Sequence, residues 1–257
     1  MHSWDPDRYL TYADERGRPF VELVTRVGAD SPTSVVDLGC GPGNLTALLV
    51  ERWPDAHVVG LDSSAEMIAK ARETTPAVAF DVADLRDWVT SGAEPVDVLV
   101  SNATLQWVPG HLDLLPALVG RVAPGGWLAF QVPGNFGEPS HTVRTELAGE
   151  EAYRDHTAGV AVPSSHDPVV YLQALQDLGC EVDAWETTYL HVLRGGDPVF
   201  AWVSGTGARP TLQALPEALR PAFEEEFKRR LRAAYPPGPD GEVVLPFRRI
   251  FVVARVA

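Results

Sequence analysis

At 257 residues, 45% of them hydrophobic, the chain suits one large domain with a sizeable core. Its net charge of -14 argues against a nucleic-acid partner, whose phosphates demand lysine and arginine. No run of about 18 apolar residues suggests a membrane span, and the charged, aromatic start "MHSWDPDRYL" has no secretory h-region. Cys40 and Cys180 make neither a disulfide framework nor a zinc spacing, so no metal and a reducing cytoplasm are expected.

In chain order, a helix over about 7–27 precedes a strand over 34–38, a glycine turn, and a helix over 44–52 with Asn44 as its N-cap. Strand "HVVGLD", a helix over 64–73 and a short strand "VAFDVAD" follow, then strand "VDVLVSN" over 96–102. A helix over 111–121 ends in "APGG", and Gly126 opens strand "WLAFQVP". Strands alternating with helices at this spacing predict a doubly wound, mostly parallel, Rossmann-like α/β sheet. From residue 134 the pattern changes to a loop with a helix over 142–153, then a helix over 168–178 and strand "VDAWETTYLHVL". Two helical stretches within 197–235 and a loop over 236–241 lead to the final strand "FRRIFVVARVA". The expected organisation is one domain over 1–257. Residues 1–133 form a ligand-binding core, 134–168 and 195–240 a helical cap, and 182–193 and 246–256 closing strands, the last of them antiparallel.

Charge is unevenly spread. Residues 1–193 hold 11 basic and 28 acidic side chains, a net of -17, whereas residues 194–257 hold 10 and 7, a net of +3. Only Lys70 and Lys228 are lysines. A compositional bias of the genome accounts for this, and so does a C-terminal part that offers guanidinium forks to an anionic small molecule.

Gly39, Gly41 and Gly43 follow the first strand, so backbone can lie against a ligand there. Nineteen residues after Gly43, Asp62 ends the second strand, where a carboxylate can accept both hydroxyls of a ribose. The spacing is G-x-G-x-G preceded by Asp37, and an acid at that place is unhelpful to a pyrophosphate. A ligand bearing an ammonium and a sulfonium tolerates it. This disfavours an NAD-dependent oxidoreductase.

"VVDLGCGPGN", "GLDSSAEMIAKAR" and "DVADLRDW" resemble the motifs of class I S-adenosylmethionine methyltransferases. By that resemblance Gly39, Gly41 and Ser63 lie along the cofactor and Asp62 holds its ribose. Asp84 bonds the adenine amino group, the Leu85 backbone bonds a ring nitrogen, and Asn102–Ala103 passes the methionine part. "WDPDRYLTYADERGRPFVELVTRV", "SNATLQWVP", "QVPGNFGEPSHTVRTELA", "WVSGTGARP" and "LPFRRIFVVA" resemble the trans-aconitate 2-methyltransferase family, from Trp4 to Ala254, with Leu245 where a Phe is expected before the Pro. The implied activity is methyl esterification of a small polycarboxylate, with another small acid or an acyl-carrier-bound acid as the alternative acceptor. A regulatory module that binds the cofactor without turnover is disfavoured by the intact cap sequence.

A carboxylate nucleophile has a pKa of roughly 4 and is ionised at neutral pH, so no general base is required. Catalysis then rests on positioning and on excluding water, and no catalytic residue beyond positioning groups is expected. Cation clamps are needed instead. Tyr9 and Arg18 on the first helix are candidates for the cofactor, Arg18 for its carboxylate. Arg209 and Arg248 are candidates for the substrate's carboxylates; Arg249 alternates with Arg248 on the strand, so only one of them faces the pocket. Trp107, His141, Tyr189 and Trp202 are further substrate candidates. The competing structural readings are an N-cap for Asp84, a core side chain for Met67 and the aromatics, and a solvated helix face for Arg18. The run Lys228, Arg229, Arg230, Arg232 reads as a solvated face. The expected partner is a small molecule only, and the expected state a monomer or weak dimer.

Overall fold

The fold is taken from a computed structural model that describes residues 13–257. Its helices are α1 (Ala13–Thr25), α2 (Thr46–Arg52), α3 (Ala65–Thr74), α4 (Leu85–Thr90), α5 (Leu115–Val119), α6 (Pro139–Ala148), α7 (Arg154–Thr157), α8 (Pro168–Gln176), α9 (Pro198–Ser204), α10 (Arg209–Ala214) and α11 (Arg220–Ala234). The strands are β1 (Ser34–Leu38), β2 (His57–Asp62), β3 (Ala79–Val82), β4 (Val96–Asn102), β5 (Val122–Pro133), β6 (Glu181–Leu193) and β7 (Val243–Arg255). They form one sheet in the order β3-β2-β1-β4-β5-β7-β6.

The inner strands are continuous apolar runs because a parallel sheet covered on both faces leaves no solvent side. Val35, Leu38, Val98, Leu99 and Val100 are all buried. Ser34–Leu38 pairs in parallel with His57–Leu61 on one side of β1, and Val35 pairs with Val98 of β4 on the other. Strand order therefore reverses between β1 and β4, which opens a crevice at the carboxyl ends of the strands. Strand β7 runs antiparallel to β5: Gly125 N–H donates to Val256 O (2.9 Å) and Gly134 N–H to Arg248 O (2.9 Å). The sheet class and its antiparallel C-terminal strand are those expected from the sequence.

Two compact units emerge. The larger holds the described residues up to Val132 together with His166–Thr187 and Arg249–Ala257; the smaller holds Pro133–Ser165 and Thr188–Arg248. In the larger unit, Leu99, Leu128, Phe130, Val132, Ile250, Val252 and Ala254 pack with Tyr171 and Leu175 of α8. In the smaller, α11 buries Phe223, Phe227 and Leu231 at helical spacing, with Tyr153 edge-on to Phe223 at 5.0 Å.

Several boundaries differ from those expected. Asn44 is not an N-cap: α2 begins at Thr46, Leu45 holds the cap position, and no side chain caps it. The helix expected over 111–121 splits into a one-turn helix, His111–Leu114, and α5, after Gly110 at φ 68. Strand β5 starts at Val122, because Gly125 at φ 79 and a register shift between Val96 and Val98 absorb "APGG" as an irregularity inside the strand. Helix α6 starts at Pro139, where proline suits the first turn, and ends at Ala148. Arg209 opens a separate helix, α10. Lys228, Arg229, Arg230 and Arg232 are spent on Glu225, Glu226, Glu150 and Asp197, as a solvated face implies.

Candidate functional site

The turn after β1 shows what each glycine is for. All three have positive φ: Gly39 84°, Gly41 56° and Gly43 75°. A Cβ on Gly39 would sit 2.0 Å from Thr104 Oγ1, and one on Gly43 2.8 Å from both Ala71 Cβ and Phe80 Cζ. Those two are bare so that neighbouring elements can close on them. A Cβ on Gly41 would meet nothing within 4 Å. Its bare side opens onto space along the turn, so Gly41 is where a ligand can approach backbone.

Asp62, at the end of β2, braces this turn. Its Oδ2 accepts from Gly41 N–H (2.9 Å) and its Oδ1 from Ser64 N–H (2.9 Å). Each oxygen keeps lone-pair capacity for a further donor. Burial raises the Asp62 pKa, opposed by its backbone N–H bonds. Behind the turn Asp37 is only 2% exposed and accepts from Thr46 Oγ1 (2.7 Å). Burial first, and then the charge of Asp62, push its pKa up to about 7 against the Thr46 bond. Ser63 is exposed beside Asp62.

Asp84 is exposed and caps α4: Oδ1 accepts from Arg86 N–H (2.8 Å) and Asp87 N–H (3.4 Å). The capping role and a ligand role are compatible, because both cap bonds use Oδ1. Leu85 is the first residue of α4, so its N–H has no acceptor within the helix. Asn102 ends β4, and its Oδ1 is buried without a hydrogen-bond partner. The next residue, Ala103, is held at φ 54, a strained conformation for a side-chain-bearing residue. Gly17 and Arg18 of α1 line a cleft with Asn44, Leu45 and Leu48 at the entry to α2. Arg18 itself is exposed, and Trp107 is half-buried in the one-turn helix Leu105–Trp107. Tyr9 lies outside the described residues.

The remaining candidates belong to the smaller unit, except Arg249. His141 is 7% exposed and lies edge-on to Phe136 at 5.0 Å. Burial, with the neighbouring Arg144 cation, pushes its pKa down to about 3, so it is neutral at physiological pH. Tyr189 and Trp202 both pack on His191, with ring centroids at 6.3 and 4.5 Å. Trp202 is 1% exposed and thus a core side chain of this unit. Arg209 is half-buried. Arg248 is half-buried and reaches Gly134 O (3.4 Å), whereas Arg249, in the larger unit, is buried and reaches Gln131 Oε1 (3.4 Å).

The structure also buries polar side chains that the sequence did not single out: Gln106 and Gln131 in the larger unit, and Asn135, Ser140 and Arg144 in the smaller. A usable signal exists for two of them. Ser140 and Arg144 stand four apart in "SHTVR", so a helix presents both on one face.

A glycine turn opening toward a ligand, an acid closing β2, and a further acid and an amide at the ends of β3 and β4 are the arrangement of an S-adenosylmethionine-dependent methyltransferase. A family described as methyltransferase domain matches residues 35–126. The fold agrees with solved structures of low sequence identity. A putative methyltransferase from Bacillus halodurans is 12% identical, with a TM-score of 0.59 over 93% of this chain and 98% of that one. Geranyl diphosphate C-methyltransferase from Streptomyces coelicolor is 16% identical, with a TM-score of 0.55 over 97% and 82%. Among curated relatives, trans-aconitate 2-methyltransferase of Streptomyces avermitilis is 52% identical over 98% of this chain and 96% of its own length. That of Rhodococcus jostii is 50% identical over 98% and 99%. The chain belongs to the trans-aconitate 2-methyltransferase family.

Proposed function

We propose that the chain transfers a methyl group from S-adenosylmethionine to a carboxylate of trans-aconitate, forming a methyl ester. The observation that carries this reading is the extent of the likeness: 98% of the chain aligns at 52% identity, so the smaller unit is shared as well as the glycine turn. The cofactor, when bound, supplies a methyl group made electrophilic by a sulfonium.

The residues present fit that cofactor, because Gly41 leaves open space and Asp62 and Asn102 Oδ1 keep unused acceptor capacity. Asp62 holds the ribose hydroxyls, while Gly39, Gly41 and Ser63 give backbone and a small side chain along the same edge. Asp84 Oδ2 and Leu85 N–H take the adenine edge. Asn102 serves the methionine part and Arg18 its carboxylate, with Tyr9 as a further cofactor-binding side chain. Arg209 and Arg248 bind substrate carboxylates as guanidinium forks. His141, neutral, serves as a hydrogen-bonding group for the substrate, and Trp107, Tyr189 and Trp202 are further substrate-binding side chains. The nucleophile enters already ionised, so the chain positions and desolvates and need not abstract a proton.

Among the described residues no helix is long and apolar enough to cross a membrane. Two free, buried cysteines suit a cytoplasmic enzyme, which we take to be a monomer or weak dimer. The test is a methyl-transfer assay with labelled cofactor over a panel of di- and tricarboxylic acids. Fastest turnover of trans-aconitate is expected, and preference for another acid would replace it as the acceptor.

A further inference from the structure

Asn135, Ser140 and Arg144, all buried in the smaller unit, have no part in the roles assigned so far. Ser140, His141, Arg144 and Leu147 form the buried face of α6. Arg144 is only 4% exposed, yet it carries a guanidinium. Its Nη1 donates to Gly207 O and its Nη2 to Thr145 Oγ1 (3.3 Å). Neither acceptor carries charge, and no carboxylate among the described residues pairs with Arg144. His141 is packed against the same glycine, since a Cβ on Gly207 would lie 2.7 Å from His141 Cε1. Burial lowers the Arg144 pKa, and among the described residues no counter-charge compensates the buried cation.

The surrounding polar atoms point the same way. Ser140 Oγ, one helical turn before Arg144, has no hydrogen-bond partner, and neither has His141 Nδ1. Both amide atoms of Asn135 are also buried and unpartnered. Asn135 enters the turn that starts α6, where its carbonyl accepts from Glu138 N–H (3.0 Å). Buried polar atoms are nearly always hydrogen-bonded, so several orphans within ten residues of chain, with one unpaired cation among them, mark a place built to take a ligand. The hydroxyl, the amide NH2 and the guanidinium are donors, whereas Asn135 Oδ1 is an acceptor that needs a donor of its own. Ser140 and Arg144 share the buried face of α6, and donors of this kind suit an anion with more than one acceptor oxygen, the charge and shape of a carboxylate.

We propose that Arg144 seats one carboxylate of the acceptor acid in the smaller unit, with Ser140 Oγ and Asn135 Nδ2 as further donors. This inference rests on the polycarboxylate reading of the function and adds a specificity-determining position to it. Arg144 then selects for the number of carboxylates, because an acid lacking the seated group leaves the guanidinium buried and unpaired.

The test is a cycle between residue and substrate. The wild type, R144Q, R144K and S140A are assayed with trans-aconitate and with the three analogues in which one carboxylate at a time is replaced by a methyl or hydrogen. R144Q is expected to raise KM for trans-aconitate by about 10- to 100-fold and to lose the wild type's discrimination against one of the three analogues. Affinity for S-adenosylhomocysteine stays at the wild-type value, R144K recovers part of the loss, and S140A moves KM the same way by a smaller factor. A uniform fall for all four acids, or no change in R144Q, overturns the proposal and leaves Arg144 a structural residue. If R144Q does not fold, R144K and S140A are put through the same cycle, and an equal effect on all four acids overturns the proposal there too. Failure of the wild type to methylate trans-aconitate overturns the proposed function first, and this inference with it.

Discussion

Gly41→Ala separates a ligand-facing glycine from a structural one. Gly41 sits at φ 56 with nothing within 4 Å of where a Cβ would be. The cost to the free protein is then that of a left-handed conformation alone, about 1–2 kcal/mol, or roughly 2–8 °C in Tm for a chain of this size. If the cofactor lies along the turn, the added methyl overlaps it, and overpacking of that kind costs about 1–3 kcal/mol, or roughly 5- to 150-fold in Kd. Gly39→Ala is the control, because its methyl would fall 2.0 Å from Thr104 Oγ1, so it should damage folding more than Gly41→Ala does. Differential scanning of the free proteins and titration calorimetry with S-adenosylhomocysteine give the two readouts. Wild-type affinity in a folded Gly41→Ala protein would refute the placement of the ligand along this turn.

Four further outcomes are expected. Asp62→Ala removes the acceptor of Gly41 and Ser64 N–H together with that of the ribose, at about 1.5–3 kcal/mol per bond to a charged group; a lower Tm with unchanged S-adenosylhomocysteine affinity would make Asp62 a brace only. Asp37 has its folded pKa raised from 3.8 to about 7, so its contribution to stability is intact below pH 3.8 and lost as pH rises through 7. Asp37→Asn should therefore stabilise the free protein at pH 8 by up to about 4 kcal/mol and by less at pH 5; an equal difference at both would count against the buried acid. The chemical step should show no histidine limb from about pH 6 to 9, since His141 has its pKa near 3 and stays neutral throughout; because Asp37 itself ionises near pH 7, only a limb that persists in Asp37→Asn would give His141 a proton-transfer role. Arg209→Lys and Arg248→Lys should raise KM for trans-aconitate and spare cofactor affinity, with Arg18→Lys doing the reverse; loss from Arg249→Lys alone would move the clamp to the buried neighbour.

Periodicity and turn chemistry make most of the larger unit legible in the sequence. The runs Ser34–Leu38 and Val96–Asn102 read directly as buried strands because a parallel sheet needs unbroken apolar runs. The glycine triplet followed by an acid at the end of β2 is a local pattern, so Gly41 and Asp62 can be singled out from spacing and motif. Boundaries are less legible where tertiary contact chooses them. "APGG" reads as a turn but lies within β5, because strand pairing on both sides of it outweighs local preference.

What the sequence alone determined, then, is the sheet class, the glycine turn and its acid, because each is written in residues a few positions apart. Tertiary structure decided which glycine faces open space and which faces Thr104 or Phe80, a matter of distant elements closing on the turn. It also decided the fate of the arginines. Lys228, Arg229, Arg230 and Arg232 meet carboxylates, Arg249 is buried beside Gln131, and Arg144 is buried on a carbonyl contributed by Gly207. A charge's burial and partners come from residues remote in the chain, so composition and spacing show how many cations exist but not which of them meet a carboxylate and which a carbonyl.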